Sequence, residues 1–224
     1  MTRARLLPIL LLLPLGLFAQ KQKHRLPVWT FHARNTTTIG LNVGLASIVP
    51  DSAHHVTTIG VHAEAIGLGV FLFMAPTTAS ALKEADYEAI MAAPPSEQIH
   101  GLLLSPLGSV CACRVNGISL NGGGVYNQQV NGIALALAIA ESDRFNGLQG
   151  GIFNFTYHGT GLQVGIAMNH AVEMYGVQFA GGNISRYHRG VQIGIYNKSE
   201  NFKGLQIGIW NVNQVRKWPL FNWA

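Results

Sequence analysis

The stretch Gly190-Val-Gln-Ile-Gly-Ile-Tyr-Asn197 recurs fourteen residues later as Gly204-Leu-Gln-Ile-Gly-Ile-Trp-Asn211. Three earlier copies of the pattern stand in the same phase, beginning at Gly147, Gly161 and Gly176. Five copies at spacings of 14 or 15 residues show that one short unit is repeated along the chain. Such self-similarity is typical of proteins whose units bury their surfaces only against neighbouring units.

Side chains alternate within each unit with a period of two. Leu205 and Ile207 fall on one face of an extended strand, whereas Gln206 and Gly208 fall on the other. A helix is disfavoured because each glycine in a helix interior costs about 1 kcal/mol relative to alanine. The unit is therefore predicted to be a β-strand. The asparagine that closes it is predicted to begin a polar turn, such as Asn197-Lys-Ser-Glu-Asn201.

The repeat weakens toward the N-terminus. It is clearest over residues 147–213, and degenerate copies extend it over residues 101–146. Residues 27–100 are predicted to hold irregular strands and a helix. We therefore treat residues 21–224 as a single β-repeat domain.

Two strands and one helix are predicted in the irregular part. The repeated sequence Thr-Thr-Ile-Gly opens strands near residues 38–48 and 57–73, and a polar turn at residues 50–55 separates them. Residues 80–92 are rich in helix formers, and Pro94-Pro95 ends the predicted helix. We expect this short helix to pack onto the sheet or its rim.

Residues 1–20 match a secretory signal peptide. Arg3 and Arg5 precede an apolar run over residues 6–18, and Ala19 supplies a small residue at the expected cleavage position. The run is shorter than the roughly 20 apolar residues that a membrane-spanning helix needs. The protein is therefore predicted to be exported to the outer membrane or cell surface, with the periplasm as the alternative.

Charge argues against one class of partner. Removal of residues 1–20 takes away Arg3 and Arg5, which leaves 13 basic residues against 10 acidic ones. No run of Lys or Arg interleaved with aromatic residues is present in the sequence. Nucleic-acid binding therefore has no support.

The Gly-Leu-Gln-Ile-Gly-Ile-x-Asn units, closed by Arg216-Lys-Trp-Pro-Leu-Phe-Asn-Trp223, resemble a family of bacterial surface-repeat proteins. That family was first described in Leptospira and is common in Bacteroidetes. The resemblance covers residues 101–224 and is strongest from residue 147. It implies an exported protein of the cell surface or outer membrane, and it supplies no catalytic residues.

Two all-β architectures would pair these strands on both sides and so avoid open, aggregation-prone edges. The first is an up-and-down β-barrel in the outer membrane, with the Leu, Ile and Val face on lipid and glutamines in the lumen. Interfacial aromatic girdles would then come from residues near strand ends: Phe153, Tyr196, Trp210, Trp218 and Trp223. The alternative is a β-solenoid, whose apolar face forms the core and whose glutamines form a hydrogen-bonded ladder. The export signal and the placement of charges favour the barrel.

We predict no catalytic, cofactor-binding or metal-binding residues. The sequence holds no His-Glu-x-x-His motif, no nucleophile elbow and no phosphate-binding loop. The densest histidine group, His54-His55 with His62, is interpreted as solvated. Cys111 and Cys113 are interpreted as small strand residues, with a disulfide as the alternative.

The repeated glutamines have a functional and a structural interpretation. Aligned amides could bind sugars or line a channel, but a ladder in which they satisfy one another is favoured. The residues concerned are Gln149, Gln163, Gln178, Gln192 and Gln206.

The expected function is that of an exported structural or interaction protein of the outer membrane or cell surface, without catalysis. The alternative is a small porin-like conduit lined by Gln and Asn, and a soluble periplasmic or surface β-solenoid binding protein is third. Outer-membrane lipid is the expected partner. The sequence identifies no protein or glycan partner and no oligomeric state.

Overall fold

Strands of one sheet make up most of the described chain. The computed structural model describes residues 23–25, 28–29, 35–46, 55–74 and 79–224. The predicted signal peptide and residues 50–54 of the predicted turn lie outside the described residues. The strands are β1 (Lys23–Arg25), β2 (Val28–Trp29), β3 (Thr36–Gly44), β4 (Val56–Glu64), β5 (Glu97–Ser105), β6 (Val110–Asn121), β7 (Val125–Ala136), β8 (Ile139–Phe179), β9 (Gly182–Ile193), β10 (Tyr196–Val212) and β11 (Lys217–Trp223).

Strand order in the sheet follows chain order, and the neighbours from β3 to β10 run parallel. A strand can pair in parallel with its successor only if the chain returns to the same end of the sheet, so each step closes one coil. The molecule is therefore a β-solenoid. The predicted up-and-down barrel is wrong, because neighbouring strands of such a barrel run antiparallel, whereas among the described strands only β11 runs antiparallel to its neighbour, β10.

A column of stacked glycines marks equivalent positions in successive coils, which we call rungs. Each glycine of the column has a positive φ, and from Gly60 onward a Cβ would lie 1.9–2.3 Å from the carbonyl oxygen of the glycine in the preceding rung. No other residue fits at such close backbone approach with this φ. The column consists of Gly40, Gly60, Gly101, Gly117, Gly132, Gly147, Gly161, Gly176, Gly190 and Gly204.

In the strand segment that follows each column glycine, polar side chains point inward and apolar side chains point outward, which is the reverse of a usual solenoid. Gln206 is fully buried, while its neighbour Leu205 is 37% exposed and Ile209 is 68% exposed. The ladder of glutamines predicted for a solenoid is therefore present. The apolar core predicted on the opposite face of the same strand is not, because that face points to solvent.

An apolar core does form, but on the other half of each coil. The core side chains stand two positions before each column glycine. Gly159 holds this position in one rung, and Phe145 and Met174 occupy the space that a Cβ would need there. The aligned core side chains are Ile99, Val115, Val130, Phe145, Met174, His188 and Phe202.

The polar segments between units are strands, not turns. Asn197-Lys-Ser-Glu-Asn201 lies within β10, with Ser199 buried and Lys198 and Glu200 exposed. β8 likewise continues for 41 residues and passes the glycine column three times. The coil corners therefore bend the chain without interrupting strand pairing.

The N-terminal part belongs to the same solenoid in spite of its irregular sequence. The strands predicted near residues 38–48 and 57–73 occur as β3 and β4, although β4 ends at Glu64. Between β4 and β5 the chain leaves the coil through 3₁₀ turns at Gly69–Phe73 and Ala79–Ala81 and a helix, α1 (Glu84–Ala92).

Helix α1 confirms the helix predicted near residues 80–92 and lies against the solenoid. The ring of Tyr87 stacks on that of Tyr157 at 4.0 Å. The Gln128 side-chain amide also donates to the carbonyls of Ile90 and Ala93. No residue of the helix is itself buried, so its contact with the sheet is slight.

The glycine column can be tested with a matched pair of substitutions. Gly190→Ala should lower the free energy of unfolding by about 3 kcal/mol or more, because the new Cβ meets the Gly176 carbonyl at 2.0 Å in a left-handed backbone. Gly182→Ala should change it by about 0.5 kcal/mol or less, because its Cβ meets nothing closer than 3.8 Å. Urea unfolding measures both, and equal effects would contradict the stacked column.

Candidate functional site

The interior of the C-terminal rungs is held by a ladder of glutamine side chains. Each amide nitrogen donates to the amide oxygen of the glutamine one rung before, at 2.7–2.9 Å, from Gln163 to Gln206. Gln149 begins the ladder by donating to Ser142 and to backbone carbonyls. At the far end Asn222 of β11 donates to Gln206 Oε1 at 3.2 Å.

A second ladder, of asparagines, runs parallel to the first at the coil corner. Asn154, Asn169, Asn183 and Asn197 each donate to the next asparagine at 2.7–2.9 Å, the last of these being Asn211. Asn154, Asn183 and Asn197 also donate to a backbone carbonyl of the neighbouring rung, and Asn169 donates to the Gln163 carbonyl of its own rung. Both ladders are buried, and the amides bond to one another and to backbone groups. These amides therefore do not line a channel or offer a sugar-binding surface.

The opposite side chains of the same strands form an exposed surface, which we call the apolar face. It consists of the residues one, three and five positions after each column glycine, for example Leu205, Ile207 and Ile209 after Gly204. In every described rung these positions hold Leu, Ile, Val, Ala, Phe, Pro or Gly, and none holds a charged residue. Phe221 and Trp223 of β11 lie beside Ile207 and Leu205 and extend the face by one strand.

The size of the apolar face follows from strand geometry. Ten rungs at about 4.8 Å and five residues at about 3.3 Å give a face of about 48 Å by 17 Å, or roughly 800 Å². The largest apolar patch on a typical soluble monomer is about 300–600 Å². The face is therefore larger than a soluble monomer normally leaves bare.

One long border of the apolar face, the aromatic edge, is lined by large side chains. Phe153, Tyr196 and Trp210 stand six positions after their column glycines, and Tyr196 and Trp210 are 37% and 44% exposed. These three were predicted to lie at an interface from the sequence. Residues 66–74 add Phe71, Phe73 and Met74, whose exposures run from 56% to 83%.

Residues 66–74 were predicted to continue a strand, so their part in the edge was missed. They instead cross several rungs along the border. The Gly69 N–H donates to the Gly108 carbonyl at 2.7 Å, and Leu72 packs with Ile139 and Phe155. A signal was present in the sequence: a run of apolar residues without the alternation that a half-buried strand shows.

The other long border, the polar edge, consists of the residues that immediately precede the column glycines from Gly101 onward. Asn146, Asn131 and Asn116 form a further amide ladder with distances of 2.7 and 2.8 Å. Arg189 and Lys203 are exposed there, and the Arg189 guanidinium lies 5.9 Å from the Tyr175 ring centre. No residue of this edge is acidic.

A groove of about 830 Å³ crosses the middle of the apolar face. Its walls are side chains such as Leu104, Leu120 and Val164, and its floor includes Gly122 and Gly150. Other rungs hold larger residues at the positions of Gly122 and Gly150, so the surface is lower at these two glycines. The volume lies in the range of small-ligand sites, about 300–1,000 Å³, and the lining is apolar.

A buried polar cluster occupies the interior of the N-terminal rungs, with His62 at the position equivalent to the ladder glutamines. His62 Nδ1 lies 2.9 Å from Glu97 Oε1, which also accepts from Thr58. Burial lowers the pKa of His62, but Glu97 and, more weakly, Glu64 outweigh this effect and raise it. The interpretation of His62 as solvated is therefore wrong. Alternation places it inside, but the sequence did not show that this side is the interior.

Glu64 is held inside the same region by two hydroxyl donors. Ser105 and Ser109 donate to its carboxylate oxygens at 2.7 and 2.9 Å. His62 is fully buried, and Glu64 and Glu97 are buried with it. These side chains bond to groups in the interior of the solenoid and do not reach its surface.

A second buried carboxyl group lies beneath the segment that carries the helix. Tyr126 donates to Asp143 Oδ2 at 2.7 Å. Burial raises the pKa of Asp143 to about 6, with a smaller contribution from Glu141 against the lowering effect of the Tyr126 hydrogen bond. Glu141 accepts the backbone N–H of Ala79. Glu141 therefore anchors the segment that leaves the coil, whereas Asp143 bonds within the solenoid.

Cys111 and Cys113 are joined by a disulfide in β6, so the interpretation as free small residues is corrected. The register of β6 against β7 shifts between Cys111 and Arg114, and the two Cα atoms lie 5.0 Å apart. Regular alternation already places the two side chains on the same face of the strand.

The described part of the chain contains no group of three or more His, Cys, Asp or Glu residues placed to hold a metal ion. None of the helices in those ranges has the length and apolarity needed to cross a membrane. The chain matches no protein-family model, no curated protein and no solved structure.

The inverted polarity can be tested on two adjacent residues. Gln178→Met preserves length but leaves Gln163 Oε1 and Gln192 Nε2 without their ladder partners, so the free energy of unfolding should fall by about 2–6 kcal/mol. Phe179→Gln, at a position that is 52% exposed, should change it by about 1 kcal/mol or less. Urea unfolding gives both values, and the reverse order would mean that the apolar face is the interior.

A buried histidine predicts a specific pH dependence. Burial lowers the pKa of His188 to about 4 against smaller opposing effects of the Gly176 and Val191 backbone. The unfolded chain therefore binds this proton first, and stability is lost as pH falls from about 6.5 to 4. Between pH 7 and pH 4 the wild type should lose about 3 kcal/mol more than His188→Met.

The control for this measurement is His100→Gln at an exposed position. Its unfolding free energy should follow the wild-type pH profile. Comparison with the wild type cancels other groups such as Asp143, whose raised pKa acts in the opposite direction. If His188→Met followed the wild-type profile as well, His188 would not be buried in its neutral form.

Proposed function

We propose that the protein is an exported structural or interaction protein of the outer membrane or cell surface, which acts by binding through its apolar face and has no catalytic activity. The observation that carries this proposal is the direction of the strand side chains. The ladder glutamines and asparagines point inward and bond to one another, so the Leu, Ile and Val residues of the same strands face outward.

The area of the apolar face favours a binding partner that covers it. Removing apolar surface from water stabilises a complex by about 25 cal/mol per Å², and a face of roughly 800 Å² equals the area that one partner contributes to a specific interface. Exposed side chains such as Ile166 and Leu137, at 77% and 72%, would otherwise favour aggregation. A binding role gives this surface a use.

The predicted location outside the cytoplasm is consistent with a binding role. Residues 1–20 have the pattern of a secretory signal peptide, and a disulfide at Cys111–Cys113 suits an oxidising compartment. The resemblance to bacterial surface-repeat proteins supports the same location. A porin-like conduit is not proposed, because the amides that would line it are buried and bonded to each other.

The proposal is tested by placing charge on the apolar face. Ile195→Asp combined with Ile209→Asp alters two exposed residues in adjacent rungs. In fractionated cells this variant should move from the membrane fraction to the soluble fraction, because burial of two carboxylates against an apolar partner is unfavourable. Its urea midpoint should stay close to that of the wild type.

The matched control is Tyr187→Asp combined with Asn201→Asp, which are paired in the same two strands on the other side of the coil. It introduces the same charges at the same spacing. This control should remain with the membranes. Retention of the Ile195→Asp, Ile209→Asp variant at the wild-type level would show that the apolar face is not the binding surface.

A further inference from the structure

We infer that the partner of the apolar face is a lipid bilayer with anionic head groups, which the aromatic edge enters and the polar edge contacts at head-group level. The inference rests on the proposed function and names the partner of the same surface. It is carried by the shape of the face and by the different chemistry of its two long borders.

The aromatic edge has the composition of a membrane-inserting border. Phe71, Phe73 and Met74 project from a segment that has no charged residue between positions 65 and 74. That segment is fixed to the solenoid by Gly69 and Leu72, so its apolar side chains are held outward. Further along the border, Tyr196 and Trp210 add partly exposed aromatic rings.

The polar edge is complementary to anionic head groups. Arg189 and Lys203 are exposed beside the apolar face, and the rest of this edge from residue 100 onward holds His, Asn, Thr and Tyr without a carboxylate. The side of the solenoid that points away from the face differs, since Glu173 and Glu200 stand there among the basic residues. Positive charge unopposed by acid is therefore found where a membrane surface would meet the protein.

The shape of the face favours a fluid partner over a rigid one. A groove of about 830 Å³ interrupts the face between rungs that carry Leu104 and Val164. The face measures about 17 Å between its polar and aromatic edges, which is close to half of the roughly 30 Å hydrocarbon core of a bilayer. Fluid acyl chains can therefore reach across the face and fill the groove, whereas a flat protein surface would leave it empty.

Binding to vesicles tests the inference with the purified mature protein. It should bind vesicles of phosphatidylcholine, and more tightly vesicles that also contain phosphatidylglycerol. Arg189→Gln with Lys203→Gln should remove that difference, by about fivefold for each charge. Phe71→Ser with Phe73→Ser should weaken binding to both vesicles by about tenfold for each ring. Tyr187→Ser, on the opposite side, should leave binding unchanged.

Quenching of tryptophan fluorescence by brominated lipid tests the orientation. A variant with Trp29, Trp218 and Trp223 replaced by Phe retains Trp210 at the aromatic edge. Trp210 should be quenched in vesicles. In a protein without its native tryptophans, Tyr187→Trp should not be quenched. Equal quenching at the two positions would overturn the proposed orientation.

The outcomes separate this inference from the proposed function. If the Ile195→Asp, Ile209→Asp variant leaves the membrane fraction in cells but the wild type binds no vesicles, the face binds a protein and the lipid inference fails alone. If analytical ultracentrifugation shows a dimer that the same variant dissociates, and the wild type binds no vesicles, the occupant is a second copy. If neither retention nor vesicle binding depends on the face, both fail.

Discussion

The close approach of backbone to backbone in the glycine column is the constraint on which the rest of the structure depends. Each glycine lies against the carbonyl of its counterpart one rung before, and this contact fixes how successive coils align. Once the alignment is set, equivalent residues stack directly above each other. The fourteen-residue and fifteen-residue spacings then decide only how long each coil is.

Stacking of equivalent residues explains how polar side chains can fill the interior. A single buried glutamine would lose hydrogen bonds to water, but a column of glutamines restores them because each amide both donates and accepts. The ladder therefore needs the same residue in consecutive rungs. Where it stops, the interior changes to other solutions: Ala134, Ser119 and Leu103, and then His62 with its carboxylate. The outward positions stay apolar throughout, so the exposed face is continuous although the interior is not.

The repeat, its strand character, the glutamine ladder and the short helix could be predicted from the sequence. The closed architecture could not, because alternation with a period of two separates the two faces of a strand without telling which one points inward. Charges in the segment after Asn197 were expected in turns, but they occupy the exposed side of a second strand. Residues 27–100 looked irregular because His62 and Glu64 replace interior residues there, and because the column glycines Gly40, Gly60 and Gly101 are 20 and 41 residues apart.

The candidate site was anticipated only in part. The expectation that Leu, Ile and Val would face the surroundings, with Phe153, Tyr196 and Trp210 at the border, came from the barrel interpretation and holds for the exposed face of the solenoid. The contribution of Phe71 and Phe73 could not be found from the repeat, because residues 66–74 lie outside its register and reach the border only through the contact of Gly69 with Gly108.

Chemical labelling of single cysteines in the folded protein tests the inverted polarity most directly. Ile195→Cys and Gln192→Cys lie in one rung on opposite sides of the strand, at 63% and 0% exposure. In detergent-free buffer, a maleimide should modify Ile195→Cys as fast as it does in urea. Gln192→Cys should be modified slowly until the protein unfolds. Rapid labelling of Gln192→Cys with protection of Ile195→Cys would contradict the account.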